Sequence, residues 1–144
     1  MTNSEVQRLQ SELNSLANYC SQANVLNFNL NRLIIRNGKI ISDSIEEFFK
    51  SVPQDLKDLQ ANIEQVAKDE LEKRSEKDKE VGDMLEFGLQ FMTQQERDLW
   101  KDKSSALLEE DSDIKLYLIE DVSRIDHVDL PLAYHNILEK FLIN

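Results

Sequence analysis

Residues 4–36 read SEVQRLQSELNSLANYCSQANVLNFNLNRLIIR, and the recurrence of their apolar positions decides the class of fold. Counted in heptads from Val6, the a positions hold Val6, Leu13, Cys20, Asn27 and Ile34, and the d positions hold Leu9, Leu16, Ala23 and Leu30. No proline or glycine interrupts the run. Asn37-Gly38 follows it, and glycine is the usual residue just past a helix end. The spacing predicts one helix about 50 Å long at about 1.5 Å rise per residue. A compact chain of this length has a radius of gyration of only about 14–15 Å, so the helix is expected to overhang whatever globule the rest can make.

The stripe changes character midway. Up to Asn24 the apolar residues keep to the narrow seam, which asks for one partner helix. From Val25 onward Val25, Leu26, Phe28, Leu33 and Ile35 add apolar groups on other faces, as in a helix enclosed by several others. Asn27 at an a position either fixes register through its buried amide or keeps access to water. The seam residues Val6, Leu9, Leu13, Leu16, Cys20, Ala23 and Asn27 are therefore the candidate partner-binding set.

Downstream, Asn37-Gly38-Lys39 is read as a turn, and Ser42 or Asp43 as the cap of a short helix over Ser44–Ser51 burying Ile45, Phe48 and Phe49. Pro53 opens a third helix with Leu56, Leu59, Ile63 and Val66 on one face, the candidate to fold back on the first. Glu72–Glu80 carries no apolar residue at all and reads as a solvated helix laced with i,i+4 pairs, with a linker as the alternative. Gly82-Asp83 marks a break before a dense apolar stretch from Val81 to Met92. Thr93-Gln94-Gln95-Glu96 is a capping-box pattern that starts a fresh helix carrying Leu99 and Trp100. Ile114–Ile125 fits either a buried strand or a helix. With no second strand to pair with, helix is the reading adopted. Asp129-Leu130-Pro131 opens a last helix with Tyr134, Ile137, Leu138, Phe141 and Leu142 on its stripe.

The expected fold is thus all-α: a long N-terminal coiled-coil-like helical hairpin over 1–80, joined to a smaller helical bundle over 81–144. Three glycines and two prolines suit few turns and long helices.

Acids outnumber bases by 28 to 17, a formal net charge of −11. Such a surface repels phosphate backbones and attracts basic partners, so no direct nucleic-acid binding is expected. Cys20 is the only cysteine and makes no internal disulfide, which suits a reducing compartment: the cytoplasm, with the nucleus open. The N-terminus opens polar, without a signal-like apolar run, and no stretch approaches membrane-spanning length.

Chemistry is sparse. His135 and Glu139 are four apart, but neither His127 nor His135 has a glutamate three residues ahead, as a helical di-metal site wants. The acidic pairs Glu46-Glu47, Asp69-Glu70, Glu109-Glu110 and Glu120-Asp121 fall on polar faces. Asp111-Ser112-Asp113 lacks the remainder of a calcium loop. No metal, cofactor or catalytic residue is expected, and the chain is read as non-enzymatic. The functional expectation is a protein–protein interaction module, an adaptor or assembly subunit pairing through the seam, with self-association as one option. The alternative is a small acidic inhibitor or immunity-type protein that neutralises a basic effector. Trp100 is a core residue or a candidate interface anchor.

Overall fold

The computed structural model describes residues 1–25, 27–74, 80–120, 125 and 129–143. Among these residues the fold is all-α, with six helices and no strand: α1 (Asn3–Gln22), α2 (Phe28–Ser51), α3 (Gln54–Glu72), α4 (Met84–Leu89), α5 (Gln94–Glu109) and α6 (Leu132–Glu139). The chain forms two compact units. One comprises Met1–Lys50 with Glu110–Asn144 and so takes residues from both sides of position 80; the other is Ser51–Glu109.

In the first unit, α1 opens on a reciprocal cap. Thr2 Oγ1 accepts from Glu5 N at 3.2 Å, while Thr2 N donates to Glu5 Oε2 at 2.7 Å. That second bond holds the Glu5 carboxyl below its ordinary pKa. The heptad positions of α1 are the buried ones: Val6, Leu9, Leu13, Leu16 and Cys20.

The helix does not continue to Arg36. Asn24 takes a left-handed backbone (φ 53°), and Val25 N donates to the Cys20 carbonyl at 2.9 Å, the long-range bond of a Schellman C-cap. Asn27 then caps the next helix, its Oδ1 accepting from Leu30 N at 2.9 Å. Two asparagines that tolerate or satisfy local backbone turns thus end one helix and begin another, where heptad counting sees a continuous seam.

The expected turn at Asn37-Gly38-Lys39 and the separate helix over Ser44–Ser51 are likewise replaced by one helix, α2, which runs through both. Asn37 is the reason that α2 matters to the whole unit. It is fully buried, and its side-chain amide treats Tyr117 as a strand neighbour would. Oδ1 accepts from Tyr117 N at 2.8 Å, and Nδ2 donates to Tyr117 O at 2.9 Å and to Leu33 O at 3.0 Å. Both amide hydrogens and one oxygen lone pair are used, so the polar group is satisfied in the core.

Tyr117 belongs to a segment expected to be helical, and here the reading is corrected: residues 112–118 are neither helical nor in a sheet. Their accessibility alternates. Ile114 and Leu116 are half-buried, and Asp113 and Lys115 are exposed, a period of two that fits an extended chain laid on a core. The segment runs antiparallel to α2, since Ser112 meets Ser44 (3.1 Å between hydroxyls) and Tyr117 meets Asn37. Both its ends are stitched by backbone bonds: Ser112 N donates to Met1 O and Asn3 N to Glu110 O, while Ile119 bonds Phe141 O and Ile143 N. Residues 121–124 and 126–128, among them His127, lie outside the described residues.

The last helix is shorter than its stripe. Pro131 precedes α6, and Phe141 and Leu142 lie just beyond it. Tyr134 packs on Tyr19 (4.7 Å between ring centroids) and Lys140 pairs with Glu12 (2.6 Å), so α6 runs antiparallel to α1. Leu9, Leu16, Leu30, Leu33, Ile41 and Phe141 anchor the shared core.

In the second unit α3 packs on α4 and α5. The close approach is at Gly88, where an added Cβ would overlap the Ile63 carbonyl oxygen. Asp83 caps α4 through bonds to Leu85 N and Glu86 N. The expected capping box before α5 is present, with Thr93 and Glu96 exchanging bonds at 3.2 Å. Lys103 pairs with Asp55, a contact that holds the Asp55 carboxyl below its ordinary pKa. Arg74 stacks over Phe87 at 4.7 Å. The charge run 72–80 begins at the end of α3, and its residues 75–79 lie outside the described residues.

Two glycine substitutions separate tight packing from open space. Gly88→Ala should lower the unfolding free energy by about 1–3 kcal/mol through overpacking. Gly38→Ala, where an added Cβ meets nothing within 4 Å, should raise it by about 0.5–1 kcal/mol, the helix-interior difference between the two residues. Urea unfolding of both variants checks the opposite signs.

Candidate interaction site

Seven seam residues were expected to bind a partner. Five of them, Val6, Leu9, Leu13, Leu16 and Cys20, are buried in the chain's own core with α2, α6 and the 114–119 segment. Ala23 is exposed at the α1 C-cap, and Asn27 is half-buried as a helix cap. The seam needed something to lie against and found it within the chain. Trp100 is half-buried on α5, on the same helical face as Arg97, Ser104 and Leu107.

One open apolar surface lies on α2. Asn37 fixes the rotation of this helix, because its amide must reach Tyr117. At about 100° per residue, Phe28 then points about 180° from Asn37, Ile35 and Lys39 about 160°, and Arg32 about 140°. The accessibilities follow: Phe28 is 76% exposed and Ile35 71%. Arg32, one turn from each, is exposed as well. Full enclosure of this half-helix, as its broad apolar stripe suggests, is thus corrected: the inward face, Leu30, Leu33, Asn37 and Ile41, is enclosed and the outward face is open.

Beside Ile35 the surface dips into a groove of about 370 Å³ between the last turns of α1 and the first turns of α2. Its walls include Ala17 and Cys20 from α1, Val25 from the turn, and Asn31, Ile34 and Ile35 from α2. The turn chemistry of Asn24 and Asn27 opens this groove, since it sets the two helices apart instead of continuing one into the other. The Cys20 thiol lies in its wall, almost wholly buried, and burial pushes its pKa up. It behaves as an apolar filler rather than a nucleophile.

Three bases attend this face. Arg32 sits between Phe28 and Ile35, Arg36 at its edge stacks on the Tyr117 ring (4.8 Å), and Lys39 pairs with Asp43 one turn on (3.1 Å). In a strongly acidic chain, no Asp or Glu occurs between Glu12 and Asp43. That gap is a signal available in the sequence, and heptad counting passes over it. Among the described residues no group of three His, Cys, Asp or Glu could hold a metal ion, and no helix is long and apolar enough to cross a membrane.

No family model matches the chain, and no curated protein or solved structure matches it. The functional reading rests on the residues themselves.

The buried thiol gives a pH test. With its folded pKa raised, Cys20 adds stability that is complete below the unfolded thiol pKa of about 8.5 and is lost as pH rises through the folded value. The unfolding free energy of the native chain should therefore fall, relative to Cys20→Ala, as pH rises above about 8.5. Parallel pH profiles for the two proteins would show that the thiol is not desolvated.

Proposed function

We propose that this protein is a non-enzymatic protein–protein interaction module, an adaptor or assembly subunit, that binds its partner through the outward face of α2 and the adjoining groove. The observation that carries the reading is the exposure of Phe28 and Ile35, two turns apart on one helix whose opposite face is fully packed. Singly scattered surface apolar residues are ordinary; two large ones aligned beside a groove are what an interface uses. Burying each in a partner would contribute about 1.5–3 kcal/mol. A single buried thiol and two histidines leave little material for catalysis, and a lone cysteine without a disulfide fits a reducing compartment such as the cytoplasm.

The alternative, an acidic inhibitor of a basic effector, draws on the net charge of −11. The two readings separate by where the partner sits: an inhibitor would use acid-rich surface and not the acid-free face of α2.

A photoreactive side chain at position 28 or 35, in cells that naturally make the protein, should yield a discrete heavier adduct. The same group at position 60, exposed on α3, should not. Phe28→Ser with Ile35→Ser should abolish binding while changing stability by no more than about 0.5 kcal/mol per site, as expected of exposed positions. Leu13→Asp should instead unfold the first unit, because it places a charge in a closed core. Adducts in equal yield from all three positions, or none, would contradict the proposed surface.

A further inference from the structure

Resting on that reading, we propose that the partner is an acidic amphipathic helix, laid along α2 with apolar side chains against Phe28, Ile35 and the groove and carboxylates against Arg32 and Arg36. The argument is one of complementarity in both polarity and spacing. Phe28, Arg32, Ile35 and Lys39 follow one another at intervals of three or four residues, so they form a single line along the helix. A partner helix has the same period, and it presents an apolar residue and an acid in the matching order along its own length.

The sign of the charge follows from the local composition. The whole chain is acidic, yet between Glu12 and Asp43 the sequence holds bases and no acid; Asp43, at the far end, already pairs with Lys39, so the charges offered along the stripe are those of Arg32 and Arg36. Beyond about 8 Å physiological salt screens the distant acids, so a helix docked over Arg32 and Arg36 senses mainly their guanidinium groups. Arg32 is the centre of this arrangement: it is exposed, lies between the two apolar residues, and can grip a carboxylate with two parallel bonds. Arg36 is held at the edge by its stacking on Tyr117, which pre-sets its position before a partner arrives.

The other occupants fit less well. A second copy docked through the same face would set Arg32 and Arg36 against their own counterparts, a like-charge contact. A phosphate backbone or an anionic bilayer presents a broad charged surface, which would also face the acids that outnumber bases elsewhere on the chain. A helix engages the one stripe alone.

A phage-displayed library of helical peptides tests this, with leucines fixed on one face and Asp, Glu, Lys, Arg or Gln allowed at the flanking positions. The full-length protein is the bait, and binding is confirmed by fluorescence anisotropy of the recovered peptides. Selected peptides should be enriched in Asp and Glu. Their binding should weaken at least tenfold with Arg32→Glu or Phe28→Ser, and should weaken with added salt. Basic or neutral winners, or acidic winners indifferent to Arg32→Glu, would overturn the acidic partner. If they still lost binding with Phe28→Ser, the interaction surface itself would stand. Failure to select any peptide, binding to phosphatidylserine vesicles or single-stranded RNA that Arg32→Glu abolishes, or a dimer in light scattering that Phe28→Ser dissolves, would each overturn it too.

Discussion

One side-chain amide sets the arrangement of the first unit. A segment that crosses a core without joining a sheet leaves its peptide groups in need of partners, and an unmet buried group costs about 1–3 kcal/mol. Asn37 answers both groups of Tyr117 from the middle of α2 and uses its remaining hydrogen on its own helix. No apolar residue can do this, and an aspartate would lack the donors. The requirement explains why a polar residue occupies a fully buried place in a stripe of leucine and isoleucine.

The same bond has a consequence on the other side of the helix. Once Asn37 must face Tyr117, the rotation of α2 is fixed, and residues half a turn away must face outward whatever their chemistry. Phe28 and Ile35 are there, with Arg32 between them. Their exposure is not a failure of packing, because the inward stripe is complete and the heptad residues of α1 already fill the space beside it. Their outward placement beside Arg32, in a chain otherwise rich in acids, is the feature on which the proposed interface rests.

The sequence discloses these features unevenly, for physical reasons. The burial of Val6, Leu9, Leu13, Leu16 and Cys20 is legible, because a narrow repeated stripe has to be covered by something. The Thr93–Glu96 cap is legible as well, since its chemistry is local. What covers the stripe is not legible: heptad spacing is the same for a seam facing another chain and one facing α6. The break at 23–27 is hidden because Asn24 and Asn27 act through backbone conformation and capping, which compete with helix continuation without altering the apolar count. Gly38 suggests a stop, yet one glycine costs a helix only about 1 kcal/mol, less than the bonds Asn37 makes beside it. At 112–119 the helical and extended periods both fit, and the long-range partner, eighty residues away, decides between them.

Amide hydrogen exchange at Tyr117 tests the central claim most directly. If Asn37 holds the segment, the Tyr117 amide is protected far more strongly than those of Lys115 and Leu116, and Asn37→Ala removes that protection while α1 and α6 amides remain slow to exchange. Tyr117 exchanging as fast as its neighbours in the native chain, or keeping its protection in the variant, would contradict the account.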